Sequence, residues 1–188
     1  MTIRKIARMG HPILRKKARA LTKKEILSPE IQTLVADMIE TMHDASGIGL
    51  AAPQVHESIQ LAIIELQDEN QRYPGMGKQD LLVLINPVVK VLDKATQSFW
   101  EGCLSVPELR GLVERPRKIS VRYLDLKAKE REIIAEDFLA TVFQHELDHL
   151  DGTLYIDKIK DTRKLAFTAE YQRYHAPEPG DEEQELDD

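Results

Sequence analysis

The chain is poor in the features that build disulfide scaffolds or carry a protein across a membrane. Its 188 residues include a single cysteine, so no disulfide can form within the chain. No apolar run approaches the ~20 residues that a membrane-spanning helix needs. The first residues lack the continuous apolar stretch of a secretory signal peptide. These absences exclude a disulfide scaffold, and they favour the reducing cytoplasm and a protein without a membrane partner.

Charge is distributed unevenly along the chain, whose net charge is −6. Residues 1–24 contain nine Lys and Arg and no acidic residue, whereas residues 178–188 contain seven acidic residues and no basic one. The length suits one domain, so we expect a single catalytic domain over residues 1–175. We expect residues 176–188 to form a disordered acidic tail. The basic residues of this N-terminal segment predict a solvated face, and a transient ribosome contact is the alternative. We expect no sequence-specific binding of nucleic acid.

The most informative segment is 144–149, which reads Gln-His-Glu-Leu-Asp-His. On a helix, His145 and His149 lie about one turn apart on the same face, so both can bind one metal ion. Glu146 lies beside that face, where it can move protons on a water molecule without being a ligand. Two hydrogen-bonded core histidines are the alternative interpretation of the pair.

The one cysteine, Cys103, lies in the segment Glu-Gly-Cys-Leu-Ser. A lone cysteine is usually a small buried apolar residue. Here Gly102 permits close approach of the backbone, and the Ser-Val-Pro that ends at Pro107 indicates a turn. The thiol, together with His145 and His149, makes a predicted set of three metal ligands that leaves one coordination position open.

A third segment, 47–54, reads Gly-Ile-Gly-Leu-Ala-Ala-Pro-Gln. Small residues let a backbone lie against a substrate, and Gln54 offers an N–H donor suited to a developing oxyanion. A phosphate-binding loop is the alternative. It is disfavoured because no Lys-Ser or Lys-Thr follows Gly49 and no strand–glycine–helix order is evident.

Together the three segments resemble the motifs of the peptide deformylase family. These are a Gly-x-Gly-x-Ala-Ala-x-Gln loop, a Glu-Gly-Cys-x-Ser segment and a Gln-His-Glu-x-Asp-His helix, and every fixed position is present in that order. The resemblance spans roughly residues 6–160. It implies removal of the N-formyl group from the N-terminal methionine of newly synthesised polypeptides, with release of formate. It also implies one divalent metal, Fe(II) in the native enzyme, with Zn(II) or Ni(II) able to occupy the same ligands.

The resemblance and the residue chemistry together assign catalytic roles. A divalent metal lowers the pKa of a bound water molecule. Glu146 is expected to accept the water proton and return it to the leaving amine. Gln54 and the backbone N–H of Leu104 are expected to stabilise the tetrahedral oxyanion.

The candidate substrate-binding residues come from the same three segments and their neighbours. They are Ile48, Gly49, Gly102, Arg110, Phe138, Thr141 and Val142. The last three precede His145 on the metal-facing side of the helix, where they would line a pocket for the methionine side chain. Ile48 would close its other wall. The alternative is that these are ordinary core residues.

Several polar residues are expected to have structural roles, and others are expected to have no role at the metal. Asp148 lies off the ligand face, and a buried carboxylate needs a partner, for which Arg115 is the candidate. Arg110 is then left near the substrate entrance. The four remaining histidines have no ligand spacing, and we expect them not to bind the metal: His11, His43, His56 and His175.

Hydrophobic spacing predicts helices at both ends of the chain and strands between them. A helix should start at Ser28-Pro29, and the metal-binding helix should be capped by Asp137 and end at Gly152. The other predicted elements are strands at 59–66, 81–92 (interrupted at Asn86-Pro87) and 119–123, a loop at 67–80 and a last helix at 162–174. This order predicts an α+β fold with antiparallel sheets. The family resemblance adds that the sheets wrap around a central metal-binding helix.

Two other functions stay open at this point. The first is another metallohydrolase, such as a peptidase, because His-Glu-x-x-His also occurs in zinc proteases. Formate release against peptide cleavage would separate the two. The second is a non-catalytic metal-binding or ribosome-associated protein, which would lose no activity when Glu146 is replaced.

Overall fold

A computed structural model of the chain describes residues 2–66 and 78–176. Helices and strands are numbered in chain order. The helices are α1 (Lys23–Ile26), α2 (Pro29–Asp44), α3 (Asp137–Leu150) and α4 (Thr168–Tyr174). The strands are β1 (Gly49–Ala51), β2 (Leu61–Leu66), β3 (Gln79–Val91), β4 (Thr96–Cys103), β5 (Val106–Pro116), β6 (Lys118–Leu124), β7 (Glu130–Glu136) and β8 (Leu165–Phe167).

The strands form two antiparallel sheets. One has the order β1-β2-β3-β6-β7, and the other has the order β4-β5-β8. Helix α3 packs against strands of both sheets, which places it between them. The predicted α+β fold, with antiparallel sheets around the metal-binding helix, is confirmed. No helix in the described parts of the chain is long and apolar enough to cross a membrane.

Helix α3 is central because almost all of its side chains are either apolar or in contact with other elements. Ten of its 14 residues are buried, so a single amphipathic face does not describe it. Phe143 and Leu147 pack into a core with Ile64 of β2 and Val121 of β6. The residues on its other side are therefore enclosed as well, among them both histidines.

Helix α2 begins where its sequence predicts. Ser28 occupies the N-cap position, its hydroxyl accepts a hydrogen bond from the Ile31 N–H, and Pro29 is the first helical residue. Met38 and Met42 are fully buried against a second core, which includes residues of β1 and β2. The helix thus ends just before the glycine-rich segment 47–54, which continues from it into the centre of the molecule.

The first residues of the chain bind to the loops of the predicted site. The Ala7 N–H donates to the Gln54 carbonyl at 2.7 Å, and the Met9 N–H donates to the Ser105 carbonyl at 2.7 Å. Farther along, the Ala18 N–H donates to the carbonyl of Leu150 at the end of α3. The N-terminal segment therefore links three elements that are distant in sequence.

The two ends of α3 differ in how well they were predicted. Gly152 has a φ of +73°, as expected of a glycine that terminates a helix. The predicted cap at Asp137 is wrong, because Glu136 holds the N-cap position and makes no side-chain cap bond. Asp137 is held instead by Arg117, which lies between β5 and β6: the Asp137 N–H donates to the Arg117 carbonyl, and its carboxylate accepts from Arg117 Nε at 2.5 Å.

One strand prediction and one turn prediction need correction. The predicted break at Asn86-Pro87 is a shift of register between Ile85 and Val88 within a continuous β3. Asn86 has a φ of +50° and its side chain binds both backbone groups of Leu21, which accommodates the irregularity. The turn predicted at Ser-Val-Pro lies one residue earlier, at Leu104 and Ser105, since Val106 already pairs with Cys103 in the β4–β5 hairpin.

The predicted helix at 162–174 is also wrong over its first half. Residues 162–164 form a 3-10 turn, and residues 165–167 form β8, which hydrogen-bonds to β5. Pairing with a distant strand outweighs the local helical pattern there. Residues 79–80 of the predicted 67–80 loop belong to β3, and the rest of that loop apart from Lys78 lies outside the described residues. So does the predicted acidic tail beyond Ala176.

The close packing at Gly152 predicts a stability effect. A Cβ at this position would lie 2.7 Å from the carbonyl carbon of Arg15, in addition to the strain of a positive φ. Gly10 also has a positive φ, +101°, but a Cβ there would meet no atom within 4 Å. We expect Gly10→Ala to cost about 1 kcal/mol and Gly152→Ala about 1–3 kcal/mol more, measured by urea unfolding. Equal losses would show that the Arg15 contact is unimportant.

Candidate active site

Three buried side chains converge where β4 meets α3. Cys103 is the last residue of β4, and His145 and His149 lie one turn apart on α3. One ligand atom from each of the three lies within 4.8 Å of the other two. Across residues 2–66 and 78–176, this is the one group of three or more Cys, His, Asp or Glu side chains arranged to hold a metal ion. The fold therefore assembles the predicted ligand set.

A buried carboxylate orients one of the two imidazoles. Glu101 Oε2 lies 2.7 Å from His145 Nδ1, so that nitrogen carries the proton and Nε2 remains for a metal. Arg115 holds the same carboxylate, with Nε 2.5 Å from Oε1 and Nη2 3.0 Å from Oε2. Its Nη1 donates to Asp148 at 2.8 Å, which confirms the predicted Arg115–Asp148 pair. Glu101 was quoted in the cysteine motif, but its role was missed.

These contacts determine the charge of Glu101. Burial by itself would raise the pKa of this carboxyl group, but hydrogen bonds from His145 and Arg115 reverse the effect and hold the pKa below its ordinary value. Glu101 is therefore an anion in a buried site. Its place two residues before Cys103 in the same motif was the one signal in the sequence, and a register shift between the two residues interrupts the regular alternation of the strand.

Glu146 has the opposite environment. The side chain is buried, and burial raises its pKa to about 7. Its Oε2 atom has no hydrogen-bond partner in the part of the chain that the structure describes. The carboxylate lies directly against Gly49, where any Cβ would collide with it. Gly49 is thus required by the position of Glu146, whose carboxylate lies beside the three candidate ligands.

The glycine-rich segment places an amide beside the thiol. Gln54 Oε1 accepts from the Ala51 N–H at 2.8 Å, which leaves its Nε2 as the outward donor. That nitrogen lies 3.1 Å from Ser105 Oγ and 3.5 Å from Cys103 Sγ. Gln54 and Leu104 line a cavity of about 280 Å³ that also reaches His145 and Glu146. Both predicted oxyanion donors therefore border the site.

A second cavity, of about 320 Å³, opens beside the first. Its apolar wall is built from Ile48, Phe138 and Val142, and it includes the predicted Thr141 and Gly102. The ring of Phe99 meets that of Phe138 edge to face, with centroids 5.4 Å apart. Five of the seven candidate substrate residues are thus brought to one cavity, and Gly49 lines the smaller one.

Arg110 and Trp100 lie at the outer side of this region. Arg110 is buried behind Gly102: a Cβ on that glycine would lie 3.0 Å from Arg110 Nε. Arg110 does not line either of the two cavities in the described structure. Trp100 does line the larger cavity, and the sequence interpretation missed it. Its position next to the Glu-Gly-Cys motif was the one available signal.

The other histidines lie outside the ligand group, as predicted. His43 Nε2 lies 2.5 Å from a Glu65 carboxylate oxygen, and His11 meets His56 ring to ring at 4.8 Å. His175 stacks on Trp100. Within the described residues, none of them joins a group that could hold a metal.

The donor set fits a divalent transition metal. A thiolate and two imidazoles suit iron, zinc or nickel, whereas Mg²⁺ and Ca²⁺ prefer oxygen ligands. Burial lowers the pKa of His149 well below its ordinary value, so this imidazole is neutral, the form that binds metals. With a buried carboxylate of raised pKa alongside, fold and site define a metal-dependent hydrolase.

Comparison with known proteins identifies the family. The family model described as polypeptide deformylase matches residues 3–165. A peptide deformylase from Leptospira biflexa is 42% identical over 167 residues, which cover 89% of this chain and 93% of that protein. The chain belongs to the peptide deformylase family.

Solved structures agree with this assignment. A class I type b peptide deformylase from Acinetobacter baumannii, solved with Met-Ala-Ser bound, has a TM-score of 0.78 and 35% identity and covers 84% of this chain and 99% of that one. The peptide deformylase of Thermotoga maritima has a TM-score of 0.74 and 36% identity, covering 86% and 100%.

The ligand group predicts which side chain controls metal binding. Cys103→Ala should leave two imidazoles, which hold metal weakly, so the purified variant should retain far less than one metal per chain by elemental analysis. His56→Ala, which removes an exposed imidazole outside the group, is the matched control and should retain the metal. Stoichiometric metal in Cys103→Ala would contradict the three-ligand assignment.

Proposed function

We propose that Cys103, His145 and His149 hold a catalytic divalent metal and that Glu146 is the proton carrier of deformylation. Peptide deformylases remove the formyl group from the N-terminal methionine of new polypeptides. The observation that carries the assignment to these residues is the buried Glu146 carboxylate, which lies next to the three converging ligands and whose Oε2 has no hydrogen-bond partner among the described residues. A buried carboxylate with a raised pKa is typical of a catalytic acid or base.

The reaction needs water to be activated at the formyl carbon. A divalent metal held by the three ligands would supply Lewis acidity and lower the pKa of a water molecule. Glu146 accepts a proton from that water as its oxygen adds to the formyl carbon. The carbon–nitrogen bond then breaks, and Glu146 returns the proton to the departing amine. The products are formate and a free methionine amine.

Negative charge that develops on the formyl oxygen needs donors already in place. We assign this task to the Gln54 amide and the backbone N–H of Leu104. The Gln54 amide is held in one orientation by Ala51, with its Nε2 directed toward Ser105 and the Cys103 thiol. Each donor of this kind is worth about 3–4 kcal/mol in other hydrolases.

The larger cavity is suited to the methionine side chain. Its apolar wall of Ile48, Phe138 and Val142 lies beside His145 and Glu146, so a side chain there would place the preceding amide at the ligands. The Met-Ala-Ser tripeptide in the Acinetobacter relative supports a peptide with N-terminal methionine as the ligand of this cavity. The position of Arg110 behind Gly102 supports a part in shaping the entrance.

The metal that we propose is Fe(II), with Zn(II) or Ni(II) as replacements on the same ligands. The deciding experiment is metal analysis of protein purified without oxygen, alongside an assay of formate release from formyl-Met peptides. Activity that follows iron content would support Fe(II). Equal activity with zinc alone would contradict it.

The same proposal covers the setting of the enzyme. Residues 1–175 would form one catalytic domain that acts in the cytoplasm on nascent chains, with a transient ribosome contact. The basic residues near the N-terminus support such a contact only weakly. Several of them pair with acidic side chains of this same chain, as Lys17 does with Asp151 and Arg19 with Glu25.

Glu146→Gln separates chemistry from metal binding. The variant keeps the shape of the side chain but cannot accept a proton, so metal should stay while kcat falls by about 10²–10⁴-fold. Glu130→Gln, an exposed position on β7, is the control and should leave kcat unchanged. Near-normal turnover in Glu146→Gln would exclude the proposed role.

Val142→Phe tests the methionine cavity. The larger ring should fill the cavity, raise KM and lower kcat/KM for formyl-Met peptides, and harm formyl peptides with a shorter first side chain less. Overpacking costs about 1–3 kcal/mol, so the protein should still fold. Leu139→Phe is the control, because it places the same larger side chain on the same helix at a position that does not line the cavity. Equal losses for long and short side chains, with metal intact, would contradict the assignment.

A further inference from the structure

Trp100 connects the substrate cavity with the C-terminal helix. It is the one tryptophan of the chain and lines the larger cavity together with Phe138 and Val142. Two rings from the C-terminal region pack against its indole. The His175 ring stacks at a centroid distance of 5.0 Å and an interplanar angle of 28°, and Tyr171 packs at 5.1 Å and 48°.

The backbone explains how these rings reach Trp100. Strand β8 pairs with β5, and β5 pairs with β4, which carries Trp100. Helix α4 starts immediately after β8 and so lies over the same sheet. At its end the N–H groups of His175 and Ala176 both donate to the Tyr171 carbonyl, at 2.8 and 2.9 Å. This closes the last turn and holds His175 beside Tyr171.

Trp100 lies at the rim of the site. It is only partly buried, and it lines the larger cavity beside Gly102 and Glu101, the residue that binds His145. Arg110 packs behind Gly102, and its guanidinium carbon lies 5.8 Å from the centre of the Tyr171 ring. One continuous layer therefore runs from the C-terminal helix to the backbone that precedes Cys103.

We propose that Trp100 is a specificity-determining wall for the residue that follows methionine, and that Tyr171 and His175 are positioning residues that hold it. This inference rests on the proposed function of the cavity. If methionine occupies the inner part, the rest of the polypeptide must leave across the rim, where an indole face meets the next side chain. An apolar ring favours aromatic and apolar partners over small ones. The C-terminal helix thus sets selectivity without touching the substrate.

Paired peptides test the selectivity. We expect the wild type to have a higher kcat/KM for formyl-Met-Phe-Ser than for formyl-Met-Ala-Ser. His175→Ala and Tyr171→Ala should each reduce that ratio by about two- to tenfold, the effect of one lost aromatic contact. The loss should fall on the phenylalanine peptide. Tyr174→Ala is the matched control, because its exposed ring contacts Arg173 on the same helix.

Fluorescence gives a readout that does not depend on turnover. Because the chain has one tryptophan, its emission reports Trp100 alone. Adding the product peptide Met-Phe-Ser should change this emission more than adding Met-Ala-Ser. In His175→Ala the indole should become more accessible to iodide, and the difference between the peptides should shrink. Tyr174→Ala should behave as the wild type does.

The outcomes separate the inference from the proposed function. Equal ratios in the wild type, His175→Ala and Tyr171→Ala, or a uniform loss on both peptides, would overturn the inference while leaving deformylation in place. Formate release from neither peptide, with emission that still distinguishes the two products, would overturn the proposed function alone. If circular dichroism shows that the Tyr171 and His175 variants do not fold, the Trp100→Ala variant provides the test instead. An unchanged ratio in that variant excludes the wall.

Discussion

The buried carboxylate of Glu101 is the interaction on which the site depends. It accepts hydrogen bonds from Arg115 of β5 and from His145 of α3, so one side chain of β4 joins three elements. The guanidinium also reaches Asp148, one residue before the ligand His149. Removing one partner of a buried ion pair typically costs about 3–5 kcal/mol, because the other charge is left without compensation. The same buried contacts therefore fix both the geometry of the ligands and the packing of the helix.

This arrangement gives two buried carboxyl groups pKa values that are shifted in opposite directions. Glu101 and Glu146 are both buried near His145, yet one has a lowered pKa and the other a raised one. The difference arises from partners: Glu101 has a guanidinium and an imidazole, whereas one oxygen of Glu146 has no partner among the described residues. The first carboxylate can orient a ligand and the second can exchange protons. Motif spacing predicts the proton-transfer role of Glu146, whereas the role of Glu101 depends on contacts with β5 and α3 that spacing does not show.

The site was more predictable than the fold around it. His145, Glu146 and His149 follow from helical periodicity, because all three lie within five positions of one another. The caps of α2 and the glycine at the end of α3 have local causes too. By contrast, β8 is produced by hydrogen bonds to β5, a strand that is distant in sequence, and local propensity carries little information about it. Trp100 and Glu101 were missed for the same reason, since their partners come from β5, α3 and α4.

The hydrogen bonds of Ala7 and Met9 have a consequence for the order of events during synthesis. The partners of these two backbone groups, the carbonyls of Gln54 and Ser105, are made long after the segment that binds them. Ala18 waits longer still, for the carbonyl of Leu150. The N-terminal segment can therefore complete its three bonds only when the end of α3 has been made. A chain interrupted before the metal-binding helix lacks the Leu150 partner and two of the three candidate ligands, His145 and His149.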